Sequence, residues 1–211
     1  MKRIAIILNG TPPTGQALLA LAGIKYDAYM AVDGGYKFCK RNNIRVDYFV
    51  GDFDSSKKDA SFDNVKVLAF SSDKDATDGE LAADIAIVKG ASHIDFYGGG
   101  GKPTDHLLGN LNVLFGLSKE GISARMINNG EVIYIINNTL MLGDIGGSLL
   151  SLLPFTDKAI VSIDGVKYPL QNQELTKDNT LGVSNRGAGQ VNIKVSKGYV
   201  MVIVNSLKHL F

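Results

Sequence analysis

The sequence predicts a chain of two domains, an N-terminal α/β domain over residues 1–129 and a smaller all-β domain over residues 130–211. In the first part, short apolar runs alternate with helical segments, which is typical of a Rossmann-like parallel sheet covered by helices on both faces. After Asn128-Asn129-Gly130 the pattern changes to strand-like runs separated by turn residues, which predicts a small antiparallel β-sandwich. The length of 211 residues allows each domain its own hydrophobic core.

Alternating strands and helices define the first domain. Each predicted strand is a nearly continuous apolar run, as expected for strands that are buried on both faces. The last helix places Leu107, Leu111 and Leu114 on one face. In chain order, the predicted elements are the strand Arg3–Leu8, the helix Gln16–Ala22, the strand Ala28–Val32, the helix Tyr36–Arg41, the strands Tyr48–Val50 and Lys66–Phe70, the helix Asp78–Lys89, the strand His93–Tyr97, the helix Asp105–Lys119 and the strand Ala124–Asn128.

Strands joined by turns define the second domain, and no segment of it predicts a helix. Turn residues at Asn137-Asn138, Gly146-Gly147, Asp164-Gly165 and Lys197-Gly198 predict antiparallel hairpins. The predicted strands are Glu131–Ile136, Thr139–Leu142, Ser148–Leu153, Ala159–Ile163, Gln190–Val195 and Tyr199–Asn205.

The composition argues against several classes of protein. A net charge of +1 leaves no basic surface for nucleic acid. The apolar runs Ile4–Leu8 and Tyr199–Val204 are far too short to span a membrane, and Met1-Lys2-Arg3 leads into a strand rather than a signal peptide. The one cysteine, Cys39, cannot form an internal disulfide and is predicted to pack within a helix. We therefore expect a cytoplasmic protein with no nucleic-acid or membrane partner.

Polar or glycine-rich loops follow the strands of the first domain. In an open parallel sheet, ligands bind beyond the carboxyl ends of the strands, where these loops meet. We therefore expect five loops to converge on one rim of the sheet. They are Asn9-Gly10, Asp33-Gly34-Gly35, Gly51–Ser55, Ser71–Asp78 and Gly98–Asp105.

The stretch Val46–Ser55, VDYFVGDFDS, places Asp52 and Asp54 directly after an apolar strand. Because side chains alternate along an extended chain, both carboxylates can point to the same side. At ~4 Å two carboxylates repel by about 4 kcal/mol at an effective dielectric near 20, so such a pair favours a divalent cation or a raised pKa. A turn or a helix cap is the alternative role for these acids.

The loop Asp73–Asp78 adds further carboxylates and Lys74 before a helix, for which Thr77 or Asp78 is the predicted N-cap. Oxygen ligands without cysteine or paired histidines suit Mg²⁺ better than zinc.

The loop Gly98–Gly101 precedes Lys102 and a helix. Backbone N–H groups, the positive end of the helix and a lysine can together bind an anion. Pro103 stands where a Walker A loop requires Ser or Thr, so the loop is not of that type. The alternatives are a tight turn for the glycines, a capping or packing role for His106, and a strand-to-helix turn for Asp33-Gly34-Gly35.

Together these motifs resemble the thiamine pyrophosphokinase family, and the resemblance covers nearly the whole chain. In the first domain the matching motifs are GDFDS at Gly51–Ser55, DGG at Asp33–Gly35, DKDATD at Asp73–Asp78 and the glycine-rich loop followed by Asp105-His106 and Asn110. In the second domain they are SLLP at Ser151–Pro154, GVKYPL at Gly165–Leu170 and GVSN at Gly182–Asn185.

The resemblance implies an enzyme that transfers the pyrophosphoryl group of ATP to the hydroxyl of thiamine, giving thiamine diphosphate and AMP. The first domain would then bind ATP and Mg²⁺, and the second would bind thiamine. Family members are homodimers whose active sites combine the α/β domain of one subunit with the β domain of the other, so a homodimer is implied. The implied site residues are Asp52, Asp54 and Asp75 on Mg²⁺ with Asp78 in support, Asp33, Lys74, Thr77, Lys102, Asp105 and His106 in the nucleotide site, and Ser184 and Asn185 on thiamine.

Two departures from the family leave other functions open. Lys102-Pro103 stands where the family has an arginine, and Arg186 stands where it has an acid. One alternative is a nucleotide- or thiamine-binding regulator without catalysis. The other is a metal-dependent nucleotide-sugar transferase, which only the GDFDS stretch favours. The acids Asp52, Asp54, Asp75 and Asp78 are all present, which favours the enzyme.

Overall fold

In a computed structural model that describes residues 1–51, 64–69 and 75–210, the chain divides into two units, Met1–Asn129 and Gly130–Phe211. The first unit contains parallel strands alternating with helices, and the second is built from antiparallel strands. The predicted class, an α/β part followed by a β-rich part, is confirmed.

A parallel sheet forms the centre of the first unit. Within the described residues its strands lie in the order β6-β5-β1-β2-β3-β4, and every pairing among them is parallel. The paired strands β1 and β5 contribute to the core, since Ile4, Ile6 and Ile94 are at most 1% exposed. Truncating one of them to alanine should cost about 2–5 kcal/mol. The strands are β1 (Lys2–Ile7), β2 (Ala28–Val32), β3 (Tyr48–Gly51), β4 (Lys66–Ala69), β5 (Ala91–Tyr97) and β6 (Ser123–Ile127).

The helices of the first unit begin and end within two residues of the predicted bounds. Their buried faces are small or apolar, with Ala82 and Ala86 on α3 and Leu111 and Leu114 on α4. Thr77 caps α3, because its hydroxyl oxygen accepts a hydrogen bond from the Glu80 N–H at 3.2 Å. The helices are α1 (Gly15–Gly23), α2 (Gly35–Arg41), α3 (Asp78–Val88) and α4 (Thr104–Lys119).

The strand order places a topological switch between β1 and β5. From β1 the chain proceeds to β2, β3 and β4 on one side, and it then returns through α3 to β5 on the other side of β1. The loops after β1 and β5 therefore leave the sheet in opposite directions and open a crevice between them. A ligand site is expected in that crevice.

Antiparallel strands make up the second unit. Their order among the described residues is β7-β13-β9-β12-β10-β11, and β8 also pairs with β12. The strands are β7 (Val132–Ile136), β8 (Thr139–Asp144), β9 (Leu149–Pro154), β10 (Lys158–Val166), β11 (Leu170–Thr176), β12 (Asn185–Lys197) and β13 (Val200–Val204), followed by a 3-10 helix at Lys208–Leu210. The sequence did not predict β11, which is polar, buries only Leu175 and, among the described strands, pairs with β10 alone.

Three of the four predicted hairpins are wrong. Among the described strands of this unit, those that flank Asn137-Asn138, Gly146-Gly147 and Lys197-Gly198 do not pair with each other. Asp164-Gly165 lies inside β10 as a β-bulge, with Gly165 at φ +77° and a register shift between Asp164 and Val166. Next to it, Ile163 on β10 pairs antiparallel with Leu170 on β11, so the hairpin predicted at Asp164-Gly165 is present, with a partner strand that the sequence did not predict. The other three pairs of turn residues mark bends in the chain and not hairpins.

Two smaller predictions can be compared with the structure. Cys39 is fully buried in α2, and burial raises the pKa of its thiol to about 12, which confirms a packing role. In the part of the chain that the structure describes, no helix is long and apolar enough to cross a membrane.

Candidate functional site

A cleft of about 380 Å³ lies at the carboxyl end of the parallel sheet. Four of the five predicted loops line it, which confirms that they converge on one rim. They contribute Asn9 and Gly10 after β1, Asp33 after β2, Thr77 and Asp78 at the start of α3, and Gly98, Gly99, Lys102, Asp105 and His106 after β5. The fifth loop begins at Gly51, and its residues Asp52 and Asp54 lie outside the described residues.

Bare backbone forms the floor of the cleft at the switch between β1 and β5. The Thr11 N–H donates to the Gly100 carbonyl at 2.7 Å, which joins the two loops directly. A Cβ on Gly10 would overlap the carbonyl oxygens of Gly98 and Gly100. Glycine is therefore required for the two loops to touch, and Gly10, Gly98 and Gly99 line the cleft without side chains.

Asp33 sits in a constrained position on the cleft wall. Its φ of +46° is unusual for a residue other than glycine, and such conformations cluster at functional sites. A Cβ on Gly51 would overlap the Asp33 carboxylate, and a Cβ on Gly34 would overlap the Asn9 side chain. The Asp33-Gly34-Gly35 motif therefore also serves as the strand-to-helix turn, since α2 begins at Gly35.

The start of α3 brings Thr77 and Asp78 into the cleft wall. Asp75 is exposed and is not one of the residues that line the cleft, and Lys74 lies outside the described residues. Within residues 1–51, 64–69 and 75–210, no group of three or more His, Cys, Asp or Glu side chains is placed to hold a metal ion. The predicted ligands Asp52 and Asp54 are not in those ranges.

The loop after β5 and the first turn of α4 form the opposite wall. Lys102, Asp105 and His106 are exposed and line the cleft, and the Asp105 Oδ1 accepts from the His106 N–H at 2.9 Å. Asn110 Nδ2 donates to the Gly99 carbonyl at 3.0 Å, which holds the glycine loop against the helix. The positive end of α4 therefore faces a cleft that also presents a lysine.

The charges of the cleft favour a cation as well as an anion. Of the acidic and basic side chains that the structure describes in its lining, Asp33, Asp78 and Asp105 are acids, and Lys102 and His106 are basic. A polyphosphate would be repelled by three carboxylates unless a divalent cation neutralised part of the charge. The arrangement therefore suits an anion that binds together with a metal ion.

The side chain of Asn185, in the second unit, forms hydrogen bonds with the backbone around it. It is 9% exposed, its Oδ1 accepts from the Tyr168 N–H at 3.1 Å and the Arg186 N–H at 2.8 Å, and its Nδ2 donates to the Tyr168 carbonyl at 2.6 Å. The neighbouring Ser184 is exposed at φ +60°, and its N–H donates to Ser151 Oγ at 3.1 Å. The Asn185 side chain therefore holds the backbone of Tyr168 and Arg186, and the Ser184 side chain is exposed.

Tyr168 is the side chain that sequence reasoning missed. It is 59% exposed although its backbone is held by Asn185, and the Lys167 Nζ lies 5.1 Å from its ring centroid. An exposed aromatic ring on a fixed backbone, with a cation over its face, is suited to binding a cationic ligand. The only signal in the sequence was an aromatic residue within the GVKYPL motif.

Comparisons with known proteins agree with this arrangement. Residues 23–126 match the family model described as "Thiamin pyrophosphokinase, catalytic domain", and residues 136–200 match "Thiamin pyrophosphokinase, vitamin B1 binding domain". A thiamine pyrophosphokinase of Bacillus subtilis (strain 168) is 32% identical over 149 residues, which cover 67% of this chain and 69% of that protein.

Solved structures are similar over almost the whole chain. The structure of the Bacillus subtilis thiamine pyrophosphokinase has a TM-score of 0.85 at 26% identity and covers 98% of this chain and 100% of its own. That of the Geobacillus thermodenitrificans protein has a TM-score of 0.83 at 24% identity, covering 99% and 100%. The yeast structure, at 15% identity and a TM-score of 0.77 over 96% and 86%, shares the fold.

Proposed function

The chain belongs to the thiamine pyrophosphokinase family, and on this premise we propose that it transfers the pyrophosphoryl group of ATP to the hydroxyl of thiamine, giving thiamine diphosphate and AMP. The observation that carries the proposal is the order of the two family matches. The catalytic-domain match ends at residue 126 and the vitamin B1-binding match begins at residue 136, so the unit boundary at Asn129 falls between them.

ATP is proposed to bind in the cleft of the first unit. The backbone of the glycine loop and the first turn of α4 would donate to phosphate oxygens, with Lys102 adding a positive charge. Such groups act by positioning and by neutralising charge, which is what phosphoryl-type transfer requires. The proposed nucleotide residues are Asp33, Lys74, Thr77, Lys102, Asp105 and His106.

Mg²⁺ is proposed to bind with the nucleotide. The acidic lining of the cleft fits a divalent cation, and oxygen ligands are the ones that Mg²⁺ prefers. We propose that Asp52, Asp54 and Asp75 hold the ion and that Asp78 supports them. The bound ion would neutralise charge on the triphosphate.

Thiamine is proposed to bind to the second unit through Ser184, Asn185 and Tyr168. Asn185 would act by holding the Tyr168 backbone, as its hydrogen bonds indicate. The thiazolium ring of thiamine is a permanent cation, so it can take the place of the Lys167 ammonium group over the Tyr168 ring. Ser184, the residue before Asn185, has an exposed side chain.

The finer features of the molecule are part of the same proposal. We propose a Rossmann-like first domain over residues 1–129 and a β-sandwich second domain over residues 130–211, which the strand orders support. We also propose a cytoplasmic homodimer, whose mass light scattering in solution would measure.

The proposed reaction can be tested directly. The purified protein with ATP, Mg²⁺ and thiamine should release AMP and thiamine diphosphate in equal amounts, measured by ion-exchange chromatography. Asp54→Ala should abolish turnover and keep the circular dichroism spectrum of the wild type. A folded wild-type protein that binds ATP or thiamine but releases no AMP would instead indicate the regulator, and wild-type turnover by Asp54→Ala would refute the metal role.

A further inference from the structure

A polar cluster centred on the buried side chain of Asp95 joins three strands of the parallel sheet, and none of its members lines the cleft. Its members are Arg3 on β1, Tyr26 before β2, Asp95 and Tyr97 on β5, and Arg125 on β6, and we call them the Asp95 cluster. Asp95 is 3% exposed, and Tyr26 and Tyr97 are also buried. The cluster has no part in the proposed contacts with ATP or thiamine.

Asp95 joins three neighbouring strands. In the sheet register it lies opposite Ala5 on β1 and Arg125 on β6. Its Oδ2 accepts from Arg3 Nη2 at 2.8 Å, and its Oδ1 accepts from Arg125 Nε at 2.8 Å. The carboxylate is therefore fixed from both sides by charge-assisted hydrogen bonds.

The hydroxyls of Tyr26 and Tyr97 form a chain of hydrogen bonds that ends on Asp95. Because a carboxylate can only accept, the Tyr26 hydroxyl donates to Asp95 Oδ2 at 2.6 Å. The Tyr26 oxygen can then accept from the Tyr97 hydroxyl at 2.7 Å. Burial first, and then the nearby Asp95 charge for Tyr26, raises the pKa of each tyrosine above its ordinary value, so both hydroxyls keep their protons as donors.

The last hydroxyl of this chain belongs to Tyr97, the residue that directly precedes the glycine loop. Tyr97 is the last residue of β5, and its carbonyl accepts from the Leu8 N–H at 2.8 Å. The next residue, Gly98, has a φ of +71° and lines the cleft. The loop therefore leaves the sheet directly after Tyr97, whose backbone is hydrogen-bonded to the residue that follows β1.

A role in fixing the geometry of the neighbouring loop explains the Asp95 cluster better than a role in stabilising the fold. Replacing buried ion pairs by well-packed apolar residues often leaves stability unchanged or increases it. What an ionic cluster adds is one defined arrangement, and this cluster lies on both strands of the switch, β1 and β5. Small errors in the geometry of a binding loop are costly.

We propose that Tyr97 is a positioning residue for ATP: its hydroxyl, held by Asp95 through Tyr26, fixes the end of β5 and so aims the backbone N–H groups of the Gly98–Gly101 loop at the phosphates. The inference rests on the proposed nucleotide site. It adds Tyr26, Asp95 and Tyr97 to the residues on which that site depends, although none of them touches the nucleotide.

The experiment compares Tyr97→Phe, Tyr26→Phe and the double variant by calorimetric titration with ATP in the presence of Mg²⁺. Each single variant should weaken ATP binding by about threefold to tenfold, the range set by the net free energy of one hydrogen bond. The KM for ATP should rise by a similar factor, while the KM for thiamine should stay unchanged. Tyr48→Phe, on β3 and outside the cluster, is the matched control and should bind ATP like the wild type.

The double variant tests whether the hydroxyls act as one chain. Removing the Tyr26 hydroxyl already disconnects Tyr97 from Asp95, so the double variant should bind ATP no more weakly than Tyr26→Phe. If Tyr97→Phe does not fold, Tyr26→Phe decides the question, because it leaves the Tyr97 hydroxyl in place.

A merely structural cluster would lower the melting temperature and leave ATP affinity and both KM values unchanged, and that result would overturn the proposal. Assaying the wild-type reaction distinguishes a failure of the proposed function from a failure of the proposed role of Tyr97. A protein that binds ATP but makes no thiamine diphosphate would refute the proposed function, and the affinities of the variants would still test the role of Tyr97.

Discussion

Replacing Asn185 by alanine should lower the stability of the second unit and weaken thiamine binding, because one side chain supports both. The substitution removes three hydrogen bonds, two to the Tyr168 backbone and one from the Arg186 N–H. At a net value of about 1 kcal/mol each, the loss is about 3 kcal/mol, and water can reduce it to about 2 kcal/mol by solvating the backbone of the exposed Tyr168.

The effect on thiamine follows from the loss of a fixed ring. A cation–π contact contributes about 0.5–2 kcal/mol, so losing the Tyr168 position should raise the KM for thiamine between about twofold and 30-fold. The KM for ATP should not change, because the nucleotide cleft lies in the first unit. Urea unfolding followed by circular dichroism measures the first effect, and initial rates of AMP release measure the second.

The matched control is Asn192→Ala, an exposed asparagine on the same strand, which should change stability by less than about 0.5 kcal/mol and leave both KM values unchanged. Two results would refute the reasoning in different ways. Unchanged stability with a raised KM for thiamine would mean that Asn185 contacts the substrate directly. Lower stability with an unchanged KM would mean that Tyr168 is not part of the thiamine site.

Three further substitutions or reactions test other parts of the account. Tyr168→Leu should raise the KM for thiamine about twofold to 30-fold while Tyr168→Phe keeps it near the wild-type value, and equal effects of the two would exclude the ring as a cation site. Gly51→Ala should weaken ATP binding in calorimetry, because the added methyl group would overlap the Asp33 carboxylate. Its control is Gly116→Ala in α4, where a Cβ meets nothing within 4 Å; this variant should bind ATP normally and gain up to about 1 kcal/mol of stability. Cys39 should resist a thiol reagent at pH 8 in the native protein and react fully on unfolding, because burial raises the pKa of its thiol to about 12. Since the folded protein keeps the thiol proton that the unfolded chain loses, the free energy of unfolding should also decline as the pH rises above 9. Rapid labelling of the native protein would contradict the buried position.

The sequence predicted the parts of the fold that depend on local pattern. The strands of the first unit are apolar runs such as Ile4–Ile7, and the glycine-rich loops after them identified the rim on which the cleft lies. Polar edge strands carry no such signal, which is why Leu170–Thr176 was missed. At Asp164-Gly165 the turn signal did mark a hairpin, between β10 and β11. At the other three turns the strands pair with partners that are distant in sequence, which local turn signals do not reveal.

In the candidate site, too, the sequence predicted what depends on local motifs and missed contacts between distant residues. The motifs identified Asp33, Thr77, Asp78 and the loop after β5, which the structure brings together. The contact of Asn185 with thiamine stays a prediction, and its hydrogen bonds to Tyr168, 17 residues away, are a relation that composition does not reveal. The Asp95 cluster joins residues up to 92 positions apart, and no spacing along the chain indicates it.

The most direct test of the central claim uses ATP labelled at both the β- and γ-phosphorus, with Mg²⁺, thiamine and the purified wild-type protein. Transfer of the intact pyrophosphoryl group predicts both labels in thiamine diphosphate and an unlabelled AMP, in equal amounts. Formation of ADP with only the γ label on thiamine, or the absence of labelled thiamine from a folded protein, would contradict it.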